Sequence, residues 1–184
     1  MKHSIFLILL MVCLLSCKND VLPKPSAYLR LDFPEATYTN WEKDCPFGFE
    51  SNTISKVTIK DDCSLVIDYP TIKGSIYLTY KKVDGNIKNL LIDAQKLTYE
   101  HVVKADQIDP KEFINDKEKV YGMFYEVMGN AASQSQFYAT DSLSHFVTGS
   151  LYFYAKPNYD SIYPAAIYLQ KDIRRIMESL EWKN

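Results

Sequence analysis

The spacing of apolar residues switches twice from a strand-like to a helix-like period along this chain of 184 residues, and these switches limit the possible folds. Three segments rich in β-branched and aromatic residues come first, at Ser55–Lys60, Ser64–Tyr69 and Ser75–Tyr80. From Ile87 to Val102 the apolar residues recur at helical spacing, which is typical of a helix with one face on a sheet. The short turns between the strands predict an antiparallel meander followed by that helix.

The second half of the chain repeats this succession. Residues Asp106–Lys119 are polar and contain Pro110, so they are predicted to form a loop. Three further strands are then predicted at Val120–Met128, Gln136–Ala139 and His145–Ala155.

A C-terminal helix is predicted to follow these strands. Asp160 or Ser161 can cap its N-terminus, and Pro164 suits its first turn. Its buried stripe is predicted to comprise Ile162, Ala165, Ala166, Leu169, Ile173, Ile176, Met177 and Leu180.

This order of three strands, a helix, three strands and a helix predicts an α+β fold. We expect a single domain, residues 41–184, with a mostly antiparallel sheet packed by two helices. By analogy, the layout resembles the α-β-α sandwich of Mog1/PsbP-type domains, and Phe47–Glu50 resembles the way in which such domains begin.

The first sixteen residues have the composition of a signal peptide. Lys2 gives a basic start, and Ile5–Leu15 is almost entirely apolar. That run is too short for a membrane-spanning helix, which needs about 20 apolar residues. Leu14–Cys17 looks like the lipobox of a bacterial lipoprotein, which implies removal of residues 1–16 and a lipid on Cys17. The alternative is an uncleaved membrane anchor with a chance cysteine.

Residues 17–40 are predicted to be the lipidated cysteine, a spacer and an extended arm. Lys18–Pro25 is polar and contains two prolines, which favour extended backbone. Tyr28–Pro34 has partly alternating polarity, and Pro34 argues against a central strand there.

Charge and cysteine content exclude some classes of function. A formal net charge of −2 predicts no electrostatic attraction to nucleic acid or to anionic lipid. Cys45 and Cys63 remain after processing, and an exported compartment favours a disulfide between them. No metal site or cofactor is predicted, because His101 and His145 lie far from both cysteines in sequence and no glycine-rich phosphate loop is present.

A polar stretch in the second half raises the question of catalysis. In a hydrolase interpretation, Ser133 would be the nucleophile, Asp141 the orienting acid and His145 the base. Against it, no helix follows Ser133 as in a nucleophile elbow, and side chains on adjacent strands alternate between faces. In the structural interpretation, Asn130 satisfies backbone groups at a strand turn and Asp141 shapes a hairpin.

Fourteen tyrosines are many for this length. An exposed cluster of their rings could bind a glycan, a peptide or a partner protein. The alternative is that these tyrosines are ordinary strand residues, as expected for Tyr77, Tyr80, Tyr152 and Tyr154.

Several short motifs, taken in order and with their spacing, resemble one family. Together with the lipobox they look like the gliding motility lipoprotein GldD of the Bacteroidetes, over essentially the whole processed chain. Ala27 is a departure, since the family commonly has glycine before the tyrosine of the arm. The motifs are Pro23–Pro25 with Tyr28, Arg30, Phe33 and Pro34; Tyr69–Pro70 with Lys73–Gly74; Gly129–Ser133 with Gln136–Phe137 and Thr140–Ser142; and His145–Phe146, Leu151–Phe153 and Pro157–Asn158 with Asp160–Ser161.

The resemblance implies a cell-envelope lipoprotein required for gliding motility, type IX secretion or both. It would be a non-enzymatic assembly or stabilising component, with other envelope lipoproteins or parts of that machinery as partners. Lys18–Asp20 is not a dense acidic cluster, so we expect a periplasm-facing position. An envelope hydrolase and a glycan- or small-ligand-binding lipoprotein stay open as alternatives.

Two segments are predicted to contact partners. The extended arm presents unpaired backbone that a partner strand can use, and the turn region around residues 130–145 collects polar side chains. The predicted contact residues are Tyr28, Arg30, Phe33, Asn130, Ser133, Gln136, Asp141 and His145.

Overall fold

A computed structural model describes residues 32–100, 104–154 and 158–183 of the chain. These residues form ten strands and two helices. In chain order they are β1 (Tyr38–Trp41), β2 (Phe47–Asn52), β3 (Lys56–Ile59), β4 (Leu65–Tyr69), β5 (Gly74–Lys82), α1 (Ile87–Tyr99), β6 (Ala105–Asn115), β7 (Val120–Gly129), β8 (Ser133–Thr140), β9 (His145–Phe153), α2 (Tyr159–Glu178) and β10 (Glu181–Trp182).

The strands form two antiparallel sheets. Seven strands make the larger sheet in the order β3-β4-β5-β9-β8-β7-β6, and the smaller sheet has the order β1-β2-β10. The predicted meander corresponds to β3, β4 and β5, which pair in sequence order. The predicted α+β class, with two helices and mostly antiparallel sheet, is confirmed.

The predicted loop at Asp106–Lys119 is wrong, because Ala105–Asn115 forms the long edge strand β6. Pro110 lies opposite Tyr125 of β7 within it. Proline is tolerated there because one side of an edge strand needs no backbone donor. The element order also differs from the prediction, since five strands precede α1, four follow it, and β10 comes after α2.

The two helices lie on opposite faces of the larger sheet. Phe137 packs in the main core with Leu169 and Ile173 of α2, whereas its neighbour Tyr138 packs with Leu90 of α1. Adjacent strand residues point to opposite faces, so the sheet is covered on both sides. The coverage by α1 is thinner, because only two of its residues, Ala94 and Thr98, are buried, whereas seven residues of α2 are buried.

Both predicted helices are present, but their ends differ from the prediction. α1 ends at Tyr99, and His101 lies outside the described residues. α2 begins at Tyr159 with Asn158 as its N-cap residue, so the predicted cap at Asp160 or Ser161 is wrong. The Asn158 side chain makes no capping hydrogen bond.

Aromatic packing joins the smaller sheet to the larger one. The Trp41 and Phe49 rings stack with centroids 4.9 Å apart, and the Phe47 ring lies 5.7 Å from that of Tyr80 in β5. β1 lies across the predicted boundary between residues 17–40 and 41–184, and this division stays a prediction.

The larger sheet has two ends with different neighbours. At the arm end, Phe33 and Pro34 of the arm line a cavity together with Ile72 in the β4–β5 turn. At the hairpin end, Lys82 of β5 pairs with His145 of β9. The two ends are about 27 Å apart along β5, at the usual rise of a strand.

Candidate interaction surface

Three aromatic rings from distant parts of the sequence form a platform at the hairpin end. The His145 ring stacks on Trp182 of β10 with centroids 5.2 Å apart and planes 12° apart. Tyr80 Oη and His145 Nδ1 form a 3.0 Å hydrogen bond. Trp182 Nε1 donates to the backbone oxygen of Lys119 at 3.0 Å, which fixes the indole against the β6–β7 turn. The side chain of His145 is therefore held from two sides.

Asp141 shapes the β8–β9 turn beside this platform. Its Oδ1 accepts hydrogen bonds from the backbone N–H groups of Leu143, Ser144 and His145, at 3.0, 2.8 and 2.8 Å. Burial alone would raise the pKa of Asp141, but these three N–H donors lower it below its usual value. The carboxylate therefore stays ionised and holds Leu143 at the turn tip, where 78% of that residue is exposed.

An open groove of about 360 Å³ lies between the two turns and the platform. Its walls carry charges of both signs and a few apolar side chains. We call the groove and the platform together the His145 surface; the groove is lined by Lys117, Glu118, Lys119, Asp141, Leu143, Ser144, His145 and Trp182.

The structure does not bring Ser133 to this surface. Ser133 begins β8 opposite Tyr152, whereas His145 lies at the other end of β9. Tyr152 is the seventh residue after His145 along β9, which corresponds to about 23 Å. Ser133 is fully buried and its Oγ donates to the backbone oxygen of Ser135. Asp141 and His145 are neighbours, but the serine of the hydrolase interpretation is far from both.

Two other predicted contact residues have structural roles. Asn130 Oδ1 accepts a 2.8 Å hydrogen bond from the backbone N–H of Tyr159, so it caps the first turn of α2. Gln136 is 3% exposed, and its Oε1 accepts a 3.0 Å hydrogen bond from Thr98 of α1. Because Ser133 and Gln136 are buried, neither can touch a partner in this conformation. Tyr28, Arg30 and Cys17 lie outside the described residues.

Cys45 and Cys63 form a disulfide in the structure. Their Cα atoms are 5.7 Å apart, within the usual range for such a bond. The bond ties the segment between β1 and β2 to the β3–β4 turn, whose backbone closes with a 3.0 Å hydrogen bond from the Cys63 N–H to the Lys60 oxygen.

A buried carboxylate attaches the arm region to α2. Asp172 is 1% exposed; its Oδ1 accepts from Tyr38 Oη at 2.7 Å and its Oδ2 from Asn52 Nδ2 at 2.9 Å. Burial and the Asp172 charge raise the pKa values of Tyr38 and of the buried Tyr69, so both hydroxyls stay protonated. One helical turn away, the Tyr168 ring stacks on Phe33 of the arm, with centroids 4.8 Å apart. Phe33 thus packs on its own domain.

Asp172 and Trp182 do not figure among the predicted site residues. Asp172 lies three residues after Leu169 and four before Ile176, so helical spacing alone puts it on the apolar stripe. A carboxylate on an apolar helix stripe indicates a buried polar site, and this can be detected from the sequence. No comparable signal exists for Trp182, because its ring partner His145 and its backbone acceptor Lys119 are far away in sequence.

Within residues 32–100, 104–154 and 158–183, no group of three or more His, Cys, Asp or Glu side chains is placed to hold a metal ion. No helix in these ranges is long and apolar enough to cross a bilayer. The predicted lack of metal and cofactor stays a prediction.

The sequence also matches a known protein family. The family described as gliding motility lipoprotein GldD matches residues 18–182, beginning directly after Cys17. The chain belongs to this family. Membership makes it a lipid-anchored protein of the cell envelope with a part in gliding motility, and it confirms the resemblance identified from the sequence motifs. No curated protein matches the sequence.

Proposed function

We propose that this lipoprotein is a non-enzymatic assembly or stabilising component of the gliding machinery and of type IX secretion. The observation that most supports this proposal is the family match across residues 18–182. Its partners are other envelope lipoproteins or components of the same machinery, and its domain faces the periplasm. Deleting the protein is expected to abolish gliding and release of secreted cargo while other lipoproteins are processed normally.

We further propose that the His145 surface is the contact site. Leu143 is 78% exposed at the turn tip. An exposed apolar side chain beside an aromatic platform, with charged residues around it, has the composition of a protein–protein interface. The surface is also about one strand length from the end at which the arm enters the domain, which supports free access for a partner.

A surface variant with a matched control tests this assignment. Leu143→Asp introduces a charge at the exposed turn tip, and Ile92→Asp makes the same change at an exposed site on α1, 50% accessible. We expect Leu143→Asp to reduce gliding and cargo secretion to near the deletion level, because a buried unpaired charge disfavours an interface. Ile92→Asp should behave like the wild type.

Immunoblots must show equal amounts of both variants in the envelope. Normal motility and secretion with Leu143→Asp would reject the His145 surface as the contact site. If the deletion strain itself glides and secretes normally, the proposed function as a whole is rejected.

The separation of Ser133 from His145 supports the non-enzymatic interpretation over the hydrolase one. For the glycan-binding alternative, the relevant feature is Tyr154, which is 61% exposed while its hydroxyl donates to Asp68 at 2.6 Å. We also propose that the domain has a Mog1/PsbP-type fold.

A further inference from the structure

The segment Asp32–Asp44, which leads towards β2, is held to the domain by a thin layer of contacts. We call Asp32–Asp44 the strap. Its β1 segment is an edge strand among the described residues, and it pairs with β2 over the four positions from Tyr38–Asn52 to Trp41–Phe49. Before β1, the strap has no regular secondary structure.

Side-chain contacts fix the strap at a few discrete points. Phe33 stacks on Tyr168, and Thr37 Oγ1 lies 2.6 Å from Thr53 Oγ1 in a hydrogen bond. Tyr38 donates its hydroxyl proton to the buried Asp172. Trp41 is the most deeply buried strap residue, at 8% exposure. Peeling the strap would break these contacts one after another, starting from the N-terminal side.

Immediately after the strap the chain is covalently tied to the domain. Cys45 is bonded to Cys63, which lies in the turn between β3 and β4 of the larger sheet. A pull that reached Cys45 would pass through this bond into that sheet, without having to act on β2.

We propose that the strap is a peelable part of the lipid tether and that the Cys45–Cys63 disulfide is its stop. A load on the lipid anchor that reaches Asp32 releases the strap and halts at Cys45. The released length is limited to the thirteen residues of the strap, about 45 Å when extended. The His145 surface stays folded throughout, because none of its strands has been pulled. The proposal depends on the lipid anchor and is independent of which surface binds partners.

Single-molecule pulling on the processed chain, residues 17–184, tests this proposal. With the disulfide closed, Cys17 is the remaining thiol of that chain, so a DNA handle attached there replaces the lipid. The second handle is joined by click chemistry to an azide-bearing residue at position 143, at the hairpin end. We expect a reversible extension of at most about 45 Å at low force, well before the domain unfolds.

Two perturbations separate the strap from its stop. Tyr38→Phe removes the hydroxyl that Asp172 accepts, and should lower the force of the first step without changing its length. Tyr77→Phe, a matched loss of a hydroxyl on β5, should leave that force unchanged. Reduction of the disulfide removes the stop, so the first extension should exceed 45 Å and run into β2.

Three results would overturn the proposal. They are a single unfolding event in the oxidised protein, an equal first step before and after reduction, and equal forces for the Tyr38→Phe and Tyr77→Phe variants. None of these results would affect the proposed function, which is tested by motility and secretion.

Discussion

Replacing Asp172 with alanine is expected to lower the free energy of unfolding by about 2–3 kcal/mol, whereas Asp172→Asn should change it by less than about 1 kcal/mol. Alanine leaves Tyr38 Oη and Asn52 Nδ2 without their acceptor in a site where Asp172 itself is 1% exposed. Asparagine keeps the shape, and its amide oxygen can accept from Asn52 while its NH₂ group donates to the Tyr38 oxygen. It also removes the cost of burying a charge.

The stability of the wild type and that of the Asp172→Asn variant should depend differently on pH. Burial raises the pKa of Asp172 above its ordinary value, although hydrogen bonds from Tyr38 and Asn52 act in the opposite direction. A carboxyl group with a raised pKa in the folded state contributes most stability below the unfolded pKa, near 4, and loses it as the pH rises through the folded value. The Asp172→Asn variant should therefore gain stability relative to the wild type as the pH increases above about 4.

Urea unfolding of the wild type and both variants between pH 4 and pH 7, with the disulfide closed, measures both effects. The alanine variant serves as the control for loss of hydrogen bonding without ionisation. A similar loss of stability in the alanine and asparagine variants would contradict this expectation. It would show that the negative charge of Asp172 stabilises the site, and that an uncharged side chain of the same size cannot replace it.

Gly149→Ala is expected to destabilise the protein by about 2–3 kcal/mol through overpacking. A Cβ atom at Gly149 would lie 2.1 Å from a ring carbon of Phe137 on the neighbouring strand. Phe137 is 2% exposed in the main core and has little room to move away. Because Gly149 also pairs with Leu78 near the middle of the larger sheet, relaxation of the backbone would disturb β5.

A double-mutant cycle isolates this contact. Phe137→Leu shortens the side chain that the new methyl group would meet, so the double variant should be more stable than the sum of the single effects predicts, by at least about 1 kcal/mol. Denaturant unfolding followed by circular dichroism gives the four free energies. Additive effects, or a loss below about 0.5 kcal/mol for Gly149→Ala alone, would contradict the close packing at Gly149.

The sequence predicted the elements whose local pattern matches their burial. β4 alternates buried and half-buried residues, and the stripe of α2 is regular enough to identify the helix. β6 was missed because its residues are largely exposed and polar, with Pro110 in the middle, so that only pairing with β7 makes it a strand. β2 was missed for the opposite reason: its Gly48 and Ser51 are buried by packing that local sequence does not encode.

The candidate surface was only partly predictable for the same physical reason. Asp141 and His145 belong to one hairpin, so their proximity follows from local turn chemistry. Trp182 reaches His145 only because β10 returns to pair with β2 beside the larger sheet. The burial of Ser133 and Gln136 is also a tertiary effect, since both have the polar character of surface residues.

We propose that this lipoprotein acts by contacting another envelope protein through the His145 surface. In vivo photo-crosslinking tests it most directly, with a photoreactive residue at position 143 and, as the control, at position 92. We predict a discrete adduct from position 143 only, with an envelope protein whose level falls when this lipoprotein is deleted. Equal crosslinking from both positions, or an adducted protein whose level does not depend on the lipoprotein, would contradict the claim.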